Sequence, residues 1–150
     1  MVFTIAKFIH IFAAIIAVGM NISYAVWLIR AQRDPSHTVF ALKGIKFIDD
    51  RIANPAYGVL LLTGLFMVFW AGYSITTFWI DAALVLFVAL VLVAATQYTP
   101  TLRNQIKLAE AGDTTSAEFI RLSRRGQILG QALGVIVLLI LVTMVFKPHF

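Results

Sequence analysis

The chain has no cysteine and only four prolines in 150 residues. Lack of cysteine excludes disulfides, thiolate metal sites and cysteine nucleophiles, and leaves the redox compartment open. Charge is also scarce: 13% of residues are charged, against about 25% in a soluble globular domain. What remains is apolar. Hydrophobic residues make up 61% of the chain and the mean hydropathy is +0.91, so lipid is the expected solvent for a single domain of this length. The net charge of +5 does not point to nucleic acid. The twelve Lys and Arg flank apolar segments instead of forming a stripe among exposed aromatics, as juxtamembrane loops facing anionic lipid do.

Crossing the hydrocarbon takes about 20 mostly apolar residues. Four stretches qualify, at about 4–29, 53–72, 78–98 and 126–146. The first is too long for the apolar core of a cleaved signal and ends in Arg30 and Arg33, so it reads as a retained helix. Pro55 falls in the first turn of the second span, where a missing N–H costs little, and Pro100 and Pro148 lie just past the third and fourth, where helices tend to stop. The fold class is therefore all-α: a four-transmembrane-helix bundle, one integral membrane domain over 1–150.

Charge orients this bundle. The first connection carries Arg30, Arg33, Lys43, Lys46 and Arg51, and the third carries Arg103, Lys107, Arg121, Arg124 and Arg125. The link around 73–77 carries none. The positive-inside rule puts both basic loops in the cytoplasm and both termini outside it. Both loops read as amphipathic or extended helices. After Asp34-Pro35-Ser36, apolar Val39, Phe40, Leu42, Ile45 and Ile48 alternate with lysines, as in a short helix lying at the interface. Thr115-Ser116-Ala117-Glu118 fits a capping box, and the helix it opens runs through Arg125 into the fourth span. Span, basic loop and span recur on either side of the short link, which suggests two halves of similar topology.

Polar groups inside spans are expensive and face the bundle interior, which makes them functional candidates. His10 is the one histidine within a span, and it shares a helix face with Ala14, Ala17, Asn21 and Tyr24. That stripe suits either a hydrogen bond across a helix interface or a ligand, with His10 as the nitrogen donor to a metal or cofactor. Asp81, near the outer end of the third span at a depth like that of His10, is a candidate to orient the imidazole or to pair with Lys7 or Lys147. Met67 and Met144 lie at comparable depth as soft ligands or plain packing. Gly126, Gly130 and Gly134 form a small-xxx-small face for close helix packing, within the bundle or in a homodimer, with Gln127 and Gln131 able to donate across it. Trp70, Tyr73, Phe78 and Trp79 at one end, with Trp27 and Tyr98 at the other, match interfacial aromatic belts.

Lys7-Phe8-Ile9-His10, followed by an apolar run and Gly19, resembles the first helix of HemJ-type and CopD-type membrane proteins. Asp49 through Asn54-Pro55 to Leu62-Thr63-Gly64, together with Met144-Val145-Phe146-Lys147-Pro148, resembles an uncharacterised bacterial family of four-helix integral membrane proteins across essentially the whole chain. This second resemblance implies a multi-pass protein of the bacterial inner membrane. HemJ-type proteins are protoporphyrinogen oxidases, and the resemblance implies haem b or a porphyrin held through His10, with Asn21, Tyr24 and Asp81 nearby. Ala17-Val18 and Val26 stand where those proteins carry a tryptophan and an arginine. Three readings stay open: redox handling on a His10-bound porphyrin, a non-enzymatic accessory or scaffold subunit associating with itself or a partner through the glycine face, and a small transporter.

Overall fold

The computed structural model describes residues 1–148, and its regular structure is entirely helical. Helix α1 covers Val2–Arg33. A 3-10 turn at Pro35–His37 leads into α2 (Thr38–Ile48), a π turn at Asp49–Ala53, and α3 (Asn54–Trp70). After the short link come α4 (Phe78–Val93), a second π turn at Ala94–Tyr98, α5 (Thr99–Glu110), and then α6 (Ala117–Phe146). These elements join into four rods long and apolar enough to cross a membrane. At 1.5 Å per residue, even a rod of 30 residues reaches about 45 Å, beyond the ~30 Å hydrocarbon layer.

Pro55 falls in the first turn of α3 as expected, but the rod also continues ahead of it, and Pro100 lies inside a rod instead of past its end. In a regular α-helix Pro55 would leave the carbonyl of Arg51 without a donor and drive its ring into it. The chain does not break. It inserts a π turn just ahead, where the Asn54 N–H reaches back to the Asp49 carbonyl. The same device precedes Pro100, with the Thr99 N–H on the carbonyl of Ala94. Pro100 therefore does not end the third rod, which continues through Glu110.

The loop helices also differ from expectation. Asp34 caps the 3-10 turn, its carboxylate accepting from the Ser36 N–H at 3.2 Å. α2 packs on α5 and buries Ala41, Leu42 and Ile45, with Leu42 and Ile45 in one core cluster with Leu102 and Ala109. Its apolar stripe has a protein partner, which satisfies it better than a headgroup layer would. At the start of α6 the cap is Ser116, one residue later than the capping box implies: its hydroxyl accepts from the Phe119 N–H at 3.1 Å. Glu118 turns instead to Arg121, at 2.8 Å. The helix runs on through Arg125, as expected.

The rods associate as two pairs. α1 packs along α3, presenting a buried stripe of Ala6, Ala13, Ala17, Tyr24 and Ala31, and small side chains let the two backbones approach. α4 packs along α6. The pairs meet where α1 touches α6 and where α2 touches α5, at the end that carries the basic loops (the basic end). Most of the core lies there, around Tyr24, Leu42, Ile45, Leu90, Tyr98, Leu102 and Leu133. A smaller cluster of Val68, Trp79 and Ile80, packed against Leu84 and Met144, closes the end holding the termini. Lys147 adopts a left-handed conformation (φ 44°), caps α6, and sets its ammonium 5.1 Å over the Trp79 ring.

Candidate functional site: a cavity between the two helix pairs

α3 and α4 follow each other in sequence but their backbones stand apart, and only at the end holding the termini does Val68 meet Trp79 and Ile80. The two helices are further bridged by an edge-to-face contact of Tyr57 and Phe87, with ring centroids 6.2 Å apart. The space between the pairs forms a cavity of about 880 Å³, within the ~300–1,000 Å³ of small-molecule sites. Both π turns line it: Asp49, Asp50 and Ala53 from the first, Ala94, Ala95 and Tyr98 from the second. A π turn widens the helix and redirects its side chains, and such turns recur at functional sites.

The polar lining is concentrated at the basic end. The Asn21 amide donates to the carbonyl of Ala17 at 2.9 Å, and to the Tyr57 hydroxyl at 2.6 Å. Because that hydroxyl accepts, its own hydrogen remains for a guest. The Tyr24 hydroxyl donates to the half-buried Asp49 carboxylate at 3.3 Å, and the Asn54 amide lies beside the same group. Asp50 is paired with Lys46. Asp49 has no ion pair among the described residues. Tyr98 is buried, and its hydroxyl has no partner among the described residues. Arg103 stands exposed at the mouth, and Leu61, Leu90 and Val91 supply apolar wall.

The four expected ligand residues do not gather in one place. Asn21 and Tyr24 line the cavity, whereas His10 is not part of its lining. His10 and Asn21 share a helix face but lie eleven residues apart, about 16 Å along the axis. His10 meets α3, where its Nδ1 is 2.9 Å from the Thr63 hydroxyl. That hydroxyl donates its single hydrogen to its own helix, to the Val59 carbonyl at 2.6 Å. Its oxygen therefore accepts from His10 Nδ1–H, and the neutral imidazole carries its lone pair on Nε2. The ring lies so near Gly64 that a Cβ there would sit 3.2 Å from Cε1. Asp81 is exposed in the first turn of α4 and makes no ion pair among the described residues, while Lys147 is engaged with Trp79. Among the described residues no three His, Asp or Glu side chains come close enough to hold a metal ion together.

The glycine face packs largely inside the chain. A Cβ at Gly126 would meet Gln105 and Thr101, and one at Gly130 would meet the Tyr98 ring at 3.8 Å. Gly134 faces open space, and Gln127 and Gln131 line the cavity. Sequence reasoning missed Asp49, Tyr57 and Tyr98 as a group. The available signal was an acidic residue entering a span from a loop otherwise rich in lysine and arginine.

No curated protein and no solved structure matches the chain. Four apolar rods, their polar groups turned toward a shared interior, are the architecture of a multi-pass bundle. The family model described as predicted integral membrane protein (DUF2269) matches residues 4–148, and the chain belongs to that family.

Proposed function

We propose that the chain is a membrane-embedded binding protein that holds a small amphipathic molecule between its two helix pairs. The basic end faces the cytoplasm by the positive-inside rule, so the site belongs to the cytoplasmic half of the bacterial inner membrane. One observation carries this reading: a cavity of about 880 Å³ whose walls are apolar and whose polar groups converge at two π turns. Gly58 supplies the test. It lines the cavity, and a Cβ added there meets nothing within 4 Å, so Gly58→Phe starts a bulky side chain into open space. Native mass spectrometry of protein extracted from its own membranes in mild detergent should show a small-molecule adduct on the wild type and none on Gly58→Phe. A chain that carries nothing, or an adduct that survives the filling, sinks the reading.

A second reading, haem or a porphyrin at His10, is favoured by the tautomer: with Nδ1–H given to Thr63, Nε2 is the nitrogen left to ligate. Bound haem would supply one-electron redox chemistry. Of the four residues expected around it, His10 alone would hold it, because Asn21 and Tyr24 lie in the cavity and Asp81 is exposed. A reduced-minus-oxidised visible spectrum decides the matter. A Soret band lost in His10→Ala supports the reading, and a colourless protein after haem is supplied removes it. A scaffold role through the glycine face would rest on Gly134, since Gly126 and Gly130 already pack against this chain.

A further inference from the structure

We infer that the molecule held between the helix pairs is an organic cation, with its positive centre beside Asp49 and inside a cage of tyrosine rings. The inference rests on the binding reading above and adds the charge of the guest. Three charged side chains line the cavity: Asp49, Asp50 and Arg103. Asp50 is neutralised by Lys46. Arg103 is exposed at the mouth, five residues beyond Tyr98 along its helix, or about 7 Å toward the basic end. That leaves Asp49 as the one charge facing the interior without a counter-ion among the described residues. Its hydrogen bonds there come from neutral groups, the Tyr24 hydroxyl at 3.3 Å and the Asn54 amide. A carboxylate taken from water is costly unless paired and hydrogen-bonded; Lys46 lies near enough to feel Asp49 but makes its ion pair with Asp50. A bound cation would give this carboxylate a charge partner of its own.

The surroundings suit a soft, poorly hydrated cation better than a metal ion. Tyr24, Tyr57 and Tyr98 all lie near enough to Asp49 to feel its charge, and all three line the same cavity as Phe87. Aromatic faces attract ammonium-type and quaternary cations through their quadrupoles, more strongly where water is excluded. Leu61, Leu90 and Val91 then receive an apolar substituent. An anion held among these rings would be repelled by Asp49.

Two ions of one shape and opposite charge test this: tetraphenylphosphonium and tetraphenylborate. Each is equilibrated by dialysis with the full chain in nanodiscs of zwitterionic lipid, and binding to empty discs is subtracted. Tetraphenylphosphonium should bind at one site, and Asp49→Asn should weaken it at least about tenfold, as removing one partner of a desolvated charge contact does. Tetraphenylborate should show no excess over empty discs. Tyr98→Leu should weaken the cation with Asp49 intact, and Tyr98→Phe should restore it, which keeps the test valid should Asp49→Asn fail to fold. Equal binding of both ions, insensitive to Asp49→Asn but lost in Gly58→Phe, overturns the cation inference and leaves the binding reading standing. Failure of tetraphenylphosphonium to bind above empty discs overturns the inference, and the adduct measurement then decides the parent reading separately.

Discussion

A single hydroxyl fixes the character of the first span. Thr63 accepts from His10 while donating to its own helix, so it both satisfies the imidazole and chooses its tautomer. Thr63→Val keeps the shape and removes the acceptor. The expected loss is about 0.6–1.7 kcal/mol, the range of interhelical hydrogen bonds in membranes, read as a lowered thermal midpoint in detergent. An unchanged midpoint would mean that the bond contributes nothing. At the basic end, Asp34 is held below the usual carboxylate range by the Ser36 hydroxyl and by His37. A lowered folded value means that its contribution is complete above the ordinary carboxylate pKa of about 4 and is lost as pH falls through the lowered one. The Ser36 amide resonance should therefore titrate with a midpoint below that of a free aspartate, and a midpoint at or above it contradicts the cap. His10 and Asp34 were legible as notable residues from their neighbours in sequence. Asp49 was not, because its significance lies in Tyr24, Tyr57 and Tyr98, which arrive from three different rods.

Among the elements, the π turns depart most from a simple reading. Each stands immediately before a dipeptide ending in proline, Asn54-Pro55 and Thr99-Pro100. Apolar length alone made four spans visible. It failed at Pro100, because the rule that helices stop before proline assumes water or a turn waiting beyond it. Here α5 has α2 and α6 to pack upon, and continuing through a wider turn costs less than abandoning that contact. Pro100→Ala should keep the helix continuous from 78 to 110 and slow amide hydrogen exchange across 94–99. Exchange that is unchanged or faster would show that the proline is not what holds the turn open. The cap of α6 is more conventional. Ser116→Ala should cost about 1 kcal/mol, while the same change at Thr115 should cost less, since the Phe119 N–H is bound to Ser116. Comparable losses at both positions would restore the earlier register.

At the level of the whole molecule, two pairs of rods meet broadly at the basic end and narrowly at the other, and their backbones part between α3 and α4. Sequence supplied the number of rods and the polarity of their ends. It could not supply the pairing, because alanine and glycine stripes state that something approaches closely without stating what. Gly130 shows how much depends on that choice: it touches Tyr98 and lines the cavity at once. Gly130→Leu should push α6 off the second π turn, costing about 1–3 kcal/mol as overpacked cores do, and should displace tetraphenylphosphonium together with the stability. Lost stability with unaltered binding would separate the two. The parting of α3 from α4 has a consequence for how any guest is encountered. Gly58 and Val91, on either side of it, are both exposed and both line the cavity. The doorway therefore opens sideways, onto acyl chains. A molecule dissolved in the bilayer would enter without passing through water, so its effective concentration is its concentration in lipid. Apparent dissociation constants should then scale with the amount of membrane in the assay, and two laboratories using different lipid-to-protein ratios would report different affinities for the same site.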